Sequence, residues 1–237
     1  QSEVLPELFR LLVWNVQKFP SNQTILDFRQ ISQDAHLVLF QEAMDRADLT
    51  HNLSLAQPNL GWGLARSFMS GRGYTGVATG SSVRPQSEAG YLSPVVEPVA
   101  NTAKTTMVTT YKLHDSEQPL KVINVHAINF VSTYAFEKHI KQIVALAESH
   151  QGPLIIAGDF NTWSQGRFDV LFGEMEKLGL KRLPLQDDRW IKTFDHIFIR
   201  GLRLEQSVDL SKIRSSDHEP LMVDLVYDPH GQTYVLQ

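Results

Sequence analysis

The sequence predicts a mixed α/β architecture on three observations. A strand, a helix and a second strand follow one another over residues 8–40, and the same unit recurs around residues 120–160. Each of these apolar runs stops at a polar residue able to do chemistry, at the strand end where open α/β sheets place ligands. Two late runs carry such residues at their start instead. Late strands antiparallel to the early ones would therefore gather all of these groups at one edge.

Taken in order, Leu8-Phe9-Arg10-Leu11-Leu12-Val13-Trp14 reads as a buried strand that stops at Asn15. Ser21 or Asn22 caps a helix in which Ile25, Phe28 and Ile31 recur at helical spacing. His36-Leu37-Val38-Leu39-Phe40 is a second apolar run, ending at Gln41-Glu42. From Ala43 to about Lys104 regularity drops, with Pro, Gly and Ser scattered between β-like runs at 62–68 and 76–81. Ser70-Gly71-Arg72-Gly73-Tyr74-Thr75-Gly76 reads as a hairpin loop, since no GxxxxGK[ST] pattern makes it a phosphate cradle.

Alternation resumes over 106–113, a turn follows at 115–118, and Leu120-Lys121-Val122-Ile123-Asn124-Val125 runs to His126. A helix over about 133–150 places Phe136, Ile140, Ile143, Val144 and Ala147 on one face. Leu154-Ile155-Ile156-Ala157 then leads into Gly158-Asp159-Phe160-Asn161, and in an extended segment Asp159 and Asn161 would share a face while Phe160 packs on the other. A helix over about 167–178 ends at Gly179. Strands at 195–199 and 221–227 complete one domain spanning 1–237.

Composition narrows the chemistry. A net charge of −4 and a pI near 6.1 exclude a polycation built for non-specific nucleic-acid binding. The absence of cysteine excludes a disulfide scaffold, a thiolate metal site and a thiol nucleophile, leaving oxygen and imidazole donors. No apolar run approaches the roughly 20 residues that span a bilayer. The chain opens at Gln1 rather than Met, which points to removal of something upstream, so cytoplasmic and exported or periplasmic locations both stay open, the cytoplasm being favoured. A monomer is expected.

Asn15, Glu42, His126 and Asp159 with Asn161 sit where apolar runs end; Asp195 and Asp217-His218 sit where late strands begin. Singly, each has a structural explanation: a helix-starting Glu42, an Asx turn at Asp217, a core His126. Together they make a phosphate-handling set. Glu42 and Asp217 are hard oxygen donors suited to Mg²⁺, which takes one or two protein carboxylates and keeps several waters. Asp159 can orient a water, Asn15 and Asn161 can hold phosphate oxygens without adding charge, and His126 and His218 can move protons, with Asp195 available to fix a tautomer.

Trp14-Asn15-Val16-Gln17, Phe40-Gln41-Glu42, Asn124-Val125-His126, Gly158-Asp159-Phe160-Asn161, Phe194-Asp195-His196-Ile197-Phe198 and Ser216-Asp217-His218-Glu219-Pro220-Leu221 resemble, in order, the motifs of the endonuclease/exonuclease/phosphatase superfamily, the deoxyribonuclease I-like fold. Ile123 to Phe130 with Gly158 to Ser164 is similar to a little-characterised bacterial branch. The resemblance implies an α+β fold, a four-layer α/β/β/α sandwich with two mixed sheets face to face and helices outside. It implies hydrolysis of a phosphate ester by water with Mg²⁺, for which Mn²⁺ can substitute. Glu42 would bind the metal with Asp217 and Asn15; Asp159 would align the water; Asn161 would bind phosphate. His218, backed by Asp195, would polarise the phosphate or water, and His126 would be a phosphate ligand or general acid. Arg72 and Lys104 are further phosphate contacts on this reading.

Gln17 stands where some nucleases of the fold carry an acid, and His196 where an aromatic is common, to pack like one or to add an imidazole. The substrate expected first is nucleic acid, most of all DNA, cut by an endonuclease whose basic rim would come from Lys18, Arg66, Arg72, Arg84, Lys104, Arg167 and Arg214. A phosphatase or phosphodiesterase acting on a small ester or phospholipid headgroup comes second, and a non-catalytic binding module last, since every motif position is filled.

Overall fold

A computed structural model describes residues 2–71, 73–184 and 194–229. Its elements run β1 (Leu8–Asn15), α1 (Asn22–Ile31), β2 (Leu37–Asp45), α2 (Ala47–Ala56), β3 (Gly61–Ser70), β4 (Gly73–Ser81), β5 (Ser87–Glu97), β6 (Thr102–Tyr111) and β7 (Leu120–His126). They continue as α3 (Thr133–Ala147), β8 (Leu154–Asp159), α4 (Gln165–Lys177), β9 (Lys181–Arg182), β10 (Asp195–Arg200), β11 (Leu202–Val208) and β12 (Leu221–Tyr227). The strands form two six-stranded sheets, β11-β12-β1-β2-β4-β3 and β5-β6-β7-β8-β10-β9. Both sheets are mixed: β1 with β2 and β7 with β8 are parallel pairs, and the others are antiparallel.

Alternation along the strands builds the layers. Leu11, Val13, Leu37, Leu39, Val122, Ile155, Ala157, Ile197, Ile199, Val223 and Leu225 meet in one cluster between the sheets. The opposite faces of β1 and β2 pack Trp14 and Phe40 against Phe28 of α1 and Leu49 and Leu53 of α2. Those of β7, β8 and β10 pack Ile123, Ile156 and Phe198 against Phe136 and Ile140 of α3 and Leu171 and Met175 of α4. Helices thus cover both outer faces, giving the four layers expected. Each fully buried aliphatic or aromatic side chain contributes roughly 1.5–3 kcal/mol, so the three clusters are what hold the strand ends in place.

The irregular middle is more ordered than its sequence implies, for it supplies α2 and three whole strands, β3 to β5. β5 is an edge strand exposed along most of its length, and β11 is an edge strand too, so neither carries an apolar run to mark it. The hairpin expected around residue 72 joins β3 to β4.

Candidate active site

At one end of the sandwich the inter-sheet layer changes from aliphatic to polar without changing direction. Asn15 continues the inward face of Leu11 and Val13, and Gln41 that of Leu37 and Leu39. Asn124 and His126 continue that of Val122, Asp159 that of Ile155 and Ala157, and Asp195 that of Ile197 and Ile199. Register then makes neighbours of three of them. Asp159 pairs with His126 across β7 and β8, and with Asp195 across β8 and β10.

Local backbone does the fine aiming. Gly158 has φ +139 and a Cβ there would lie 2.0 Å from the Val125 carbonyl oxygen, so only glycine lets β8 close on β7 one residue before Asp159. The extended geometry expected for Asn161 does not occur. β8 ends at Asp159, and Asn161 takes φ +51 because its N–H donates to Asp159 Oδ1 at 2.9 Å, a turn that asparagine tolerates. Glu42 lies inside β2 at φ +53, where the pairing with β4 shifts between Phe40 and Ala43, and this bulge re-aims its side chain. Gln17, Lys18 and Phe19 after β1 are also left-handed, so strain of roughly 1–2 kcal/mol per residue gathers on the loops at this edge. The loop bearing Asp217 and His218 is bolted down from below: Trp14 Nε1 donates to the His218 carbonyl at 2.9 Å and Ser216 Oγ to the Asn15 carbonyl at 2.6 Å.

His218 Nδ1 and Asp195 Oδ2 share a 2.6 Å hydrogen bond, and His218 Nε2 stands 3.9 Å from Asp159 Oδ2. That oxygen accepts from Asn15 Nδ2 at 3.0 Å and lies 3.6 Å from His126 Nε2. Asn161 Nδ2 donates to the Ala127 carbonyl at 3.0 Å, which leaves each asparagine amide a second N–H for a ligand. Burial alone would lower the His218 pKa, but the charge and hydrogen bond of Asp195, with Asp159 and Asp217 behind, raise it to about 10. Burial, then the Asp195 charge, push the Asp159 carboxyl up to about 7. Burial, then Lys104 and His218, hold His126 well below its ordinary value, so it is a neutral imidazole at neutral pH.

Other expected residues divide. Glu42 is half-buried and pairs with Lys18 Nζ at 2.9 Å. Asp217 is exposed, with the Ser216 hydroxyl 3.4 Å away. Lys104 lies beside His126 but is 3.4 Å from Glu97, whose carboxylate also accepts from Asn129 N–H. Arg72 lies outside the described residues. One reading needs correction, and one alternative is resolved. Arg167 is no rim cation: it is fully buried, donating to the carbonyls of Ile128, Asn161 and Val131 between the rings of Phe136 and Trp163. Of the two roles open to His196, packing like an aromatic is the one found: it is buried among Phe160, Phe172 and Phe198 and bonded to Thr162 and Arg182. Asn124, quoted in a motif but given no role by the sequence, accepts from Gln41 Nε2 at 2.8 Å and donates to Phe40 and Ala78 carbonyls, stitching the two sheets beneath the site. An asparagine inside an apolar run was the available signal.

The model of the Endonuclease/Exonuclease/phosphatase family matches residues 12–218. The chain belongs to that family. Its members are phosphoester hydrolases that generally depend on a divalent metal. Among solved structures, an endonuclease/exonuclease/phosphatase from Beutenbergia cavernae is similar at TM-score 0.71 and 14% identity over 94% of this chain and 72% of its own. The human Nocturnin catalytic domain with bound sulfate gives 0.67 and 17% over 93% and 94%. ANGEL2, a 2′,3′-cyclic phosphatase in complex with adenosine-2′,3′-vanadate, gives 0.70 and 14% over 93% and 96%. At such identities the likeness is one of fold.

The donor set fits the family's metal requirement in one way. Among the described residues, no three His, Asp or Glu side chains stand close enough together to cage an ion. Glu42, on the bulge of β2, offers a single hard carboxylate that an ion would take over from Lys18. Such a site suits Mg²⁺ or Mn²⁺, which completes its shell with water and substrate oxygens.

Proposed function

We propose that the protein is a metal-dependent phosphodiesterase, an endonuclease acting on DNA or another nucleic acid. The observation that carries this reading is the Asp195-His218-Asp159 row, with 2.6 Å between the first pair and 3.9 Å between the second. It sets a cation and a carboxylate of near-neutral pKa side by side, with two asparagines bonded to that carboxylate. A divalent ion held at Glu42, with Asp217 assisting, would supply positive charge against the phosphate. Asp159 would orient the attacking water and accept its proton, a task suited to a carboxyl titrating near neutrality. His218, kept protonated by Asp195, would donate a hydrogen bond to the phosphate oxygen on which charge develops, and Asn15 and Asn161 would hold the remaining oxygens. Neutral His126 would be a phosphate ligand. Nocturnin's bound sulfate and ANGEL2's adenosine-vanadate, on the same fold, are in keeping with a phosphate-bearing substrate.

One observation favours the second reading, a small phosphate ester. Of the cations expected to form a rim, Arg66, Lys104 and Arg214 are ion-paired with Asp45, Glu97 and Glu219, and Arg167 is buried, which leaves Lys18, once an ion takes Glu42, and Arg84 among the described residues. Among the described residues of that rim, little unpaired charge is left for a long polyanion. Supercoiled plasmid, a short oligonucleotide and a plain phosphodiester ester, each tested with Mg²⁺, Mn²⁺ or EDTA, decide between them. His218→Ala should cost roughly 10²–10⁴-fold on whichever is cut. Metal-dependent cleavage of the plain ester with both nucleic acids intact would replace the nuclease reading by the second. Cleavage by the variant at the wild-type rate would remove His218 from the mechanism.

A further inference from the structure

Two exposed aromatic rings stand beside this cluster without a role in it. Phe130 lies four residues beyond His126, Trp163 lies four beyond Asp159, and those two strand residues are register partners. Phe130 is 74% exposed and Trp163 47%. Neither serves the core.

The rings are nevertheless fixed. Trp163 Nε1 donates to Asn129 Oδ1 at 2.9 Å, and the Phe130 N–H donates to the same oxygen at 2.8 Å, so one amide ties both loops. Arg167 lies 4.6 Å from the Trp163 ring centre and also 4.6 Å from that of Phe136, a buried cation clamped between two π-faces. Its guanidinium also holds the Asn161 carbonyl, so the indole and the asparagine beside Asp159 are set by one group. Phe130 is held at φ +49, a conformation that a bulky residue adopts at a cost of roughly 1–2 kcal/mol. With its N–H engaged, the indole has only π-surface left to offer.

From this juxtaposition we infer that Trp163 and Phe130 form a stacking platform for an unpaired nucleobase attached to the phosphate that the Asp159 cluster handles. Asn161 and Trp163 are two residues apart, within about 7 Å along the chain, the scale of a nucleoside between its base and its phosphate. Stacking is indifferent to base identity, because every base has a π-face and the indole has no free donor to read an edge. A base handle also supplies what the ion-paired rim does not, a grip on a short or single-stranded substrate. The inference rests on the phosphate site proposed above.

Calorimetric titration with adenosine 5′-monophosphate and with ribose 5-phosphate, Ca²⁺ replacing Mg²⁺ to slow hydrolysis, separates base from phosphate. The wild type should prefer the nucleotide by at least about fivefold, the lower end of what one stacked base provides. Trp163→Ala and Phe130→Ala should each shrink that preference, and Trp163→Phe, which keeps a ring, should retain most of it. Phe130→Ala removes only an exposed side chain, so its result does not hang on folding. Equal binding of the two ligands by the wild type, or a preference that survives both alanine variants, would overturn the platform while leaving the phosphate site standing. Failure of the wild type to bind either ligand would remove the phosphate site and the platform with it.

Discussion

His218 and His139 are both histidines withdrawn from solvent, and the protein uses them in opposite ways. His139, on α3, is fully buried; its Nδ1 accepts from the Ile128 N–H at 3.1 Å, and burial lowers its pKa to about 4. His218 suffers the same desolvation, yet Asp195 at 2.6 Å and Asp159 at 3.9 Å carry it to about 10. One ring is a neutral acceptor that holds a loop, the other an imidazolium held against a carboxylate. Burial therefore does not make a histidine a working group. In the role proposed for His218, the carboxylates of Asp195 and Asp159 do.

The sharpest way to break the contrast is to take the carboxylate away. Asp195→Asn should cost roughly a hundredfold in kcat, since an uncharged amide no longer keeps His218 protonated or fixes its ring. The rate of the wild type should rise with pH as Asp159 ionises near 7 and fall as His218 deprotonates near 10, both values belonging to the coupled pair. Asp195 raises both groups, so its loss should move both limbs of the profile to lower pH. Stability carries the same signature. Folded His218 keeps a proton that the unfolded chain releases above about 6.5; this contribution is complete below 6.5 and disappears as pH rises through about 10. Between pH 7 and 10 the variant should lose less stability in urea melts than the wild type. An unmoved alkaline limb would show that another group titrates there.

How much of this was legible before the fold was known depends on burial. β1, β2, β7 and β8 announce themselves because both faces of each are covered, which makes continuous apolar runs with a polar residue at the end. β5 and β11 were silent, since an exposed edge strand needs no apolar run. Asn15, Asp159, Asp195 and His218 could be placed at one edge from parity and strand direction alone. The left-handed turns at Glu42 and Asn161 could not, for they follow from a bulge against β4 and a hydrogen bond to Asp159. Arg167 reads as a rim cation because nothing in one dimension shows three carbonyls and two rings closing over it.

A smaller effect is expected from that arginine. Arg167→Met keeps the buried stem but strands the carbonyls of Ile128, Asn161 and Val131, each worth about 1–3 kcal/mol if left without a donor and offset in part by removal of a buried charge. A net loss of about 2 kcal/mol in denaturation, with kcat down roughly tenfold as Asn161 loosens, is the expected outcome. A stable variant with full kcat would mean that the two loops hold their positions without it.

The smallest effect falls on the other histidine and sharpens the contrast from its quiet side. His139→Leu leaves the Ile128 N–H unpaired but also removes a buried Nε2 that has no hydrogen-bond partner among the described residues, so the two changes oppose and a net cost of about 1 kcal/mol follows. Its pH dependence should run opposite to that of His218. The unfolded chain takes up a proton at this position below about 6.5 while the folded chain resists until about 4, so the wild-type residue contributes stability that is present above 6.5 and lost as pH falls through 4. Subtracting urea midpoints of wild type and variant at pH 7 and pH 5 isolates this contribution from the carboxylates that titrate in the same range. Acidification from pH 7 to pH 5 should remove about 2 kcal/mol from the wild type and not from the variant, so the wild type's advantage of about 1 kcal/mol should reverse, and neither limb of the pH–rate profile should move. A shifted limb would tie His139 to the Asp159 cluster, and the division between a packed histidine and a working one would fail.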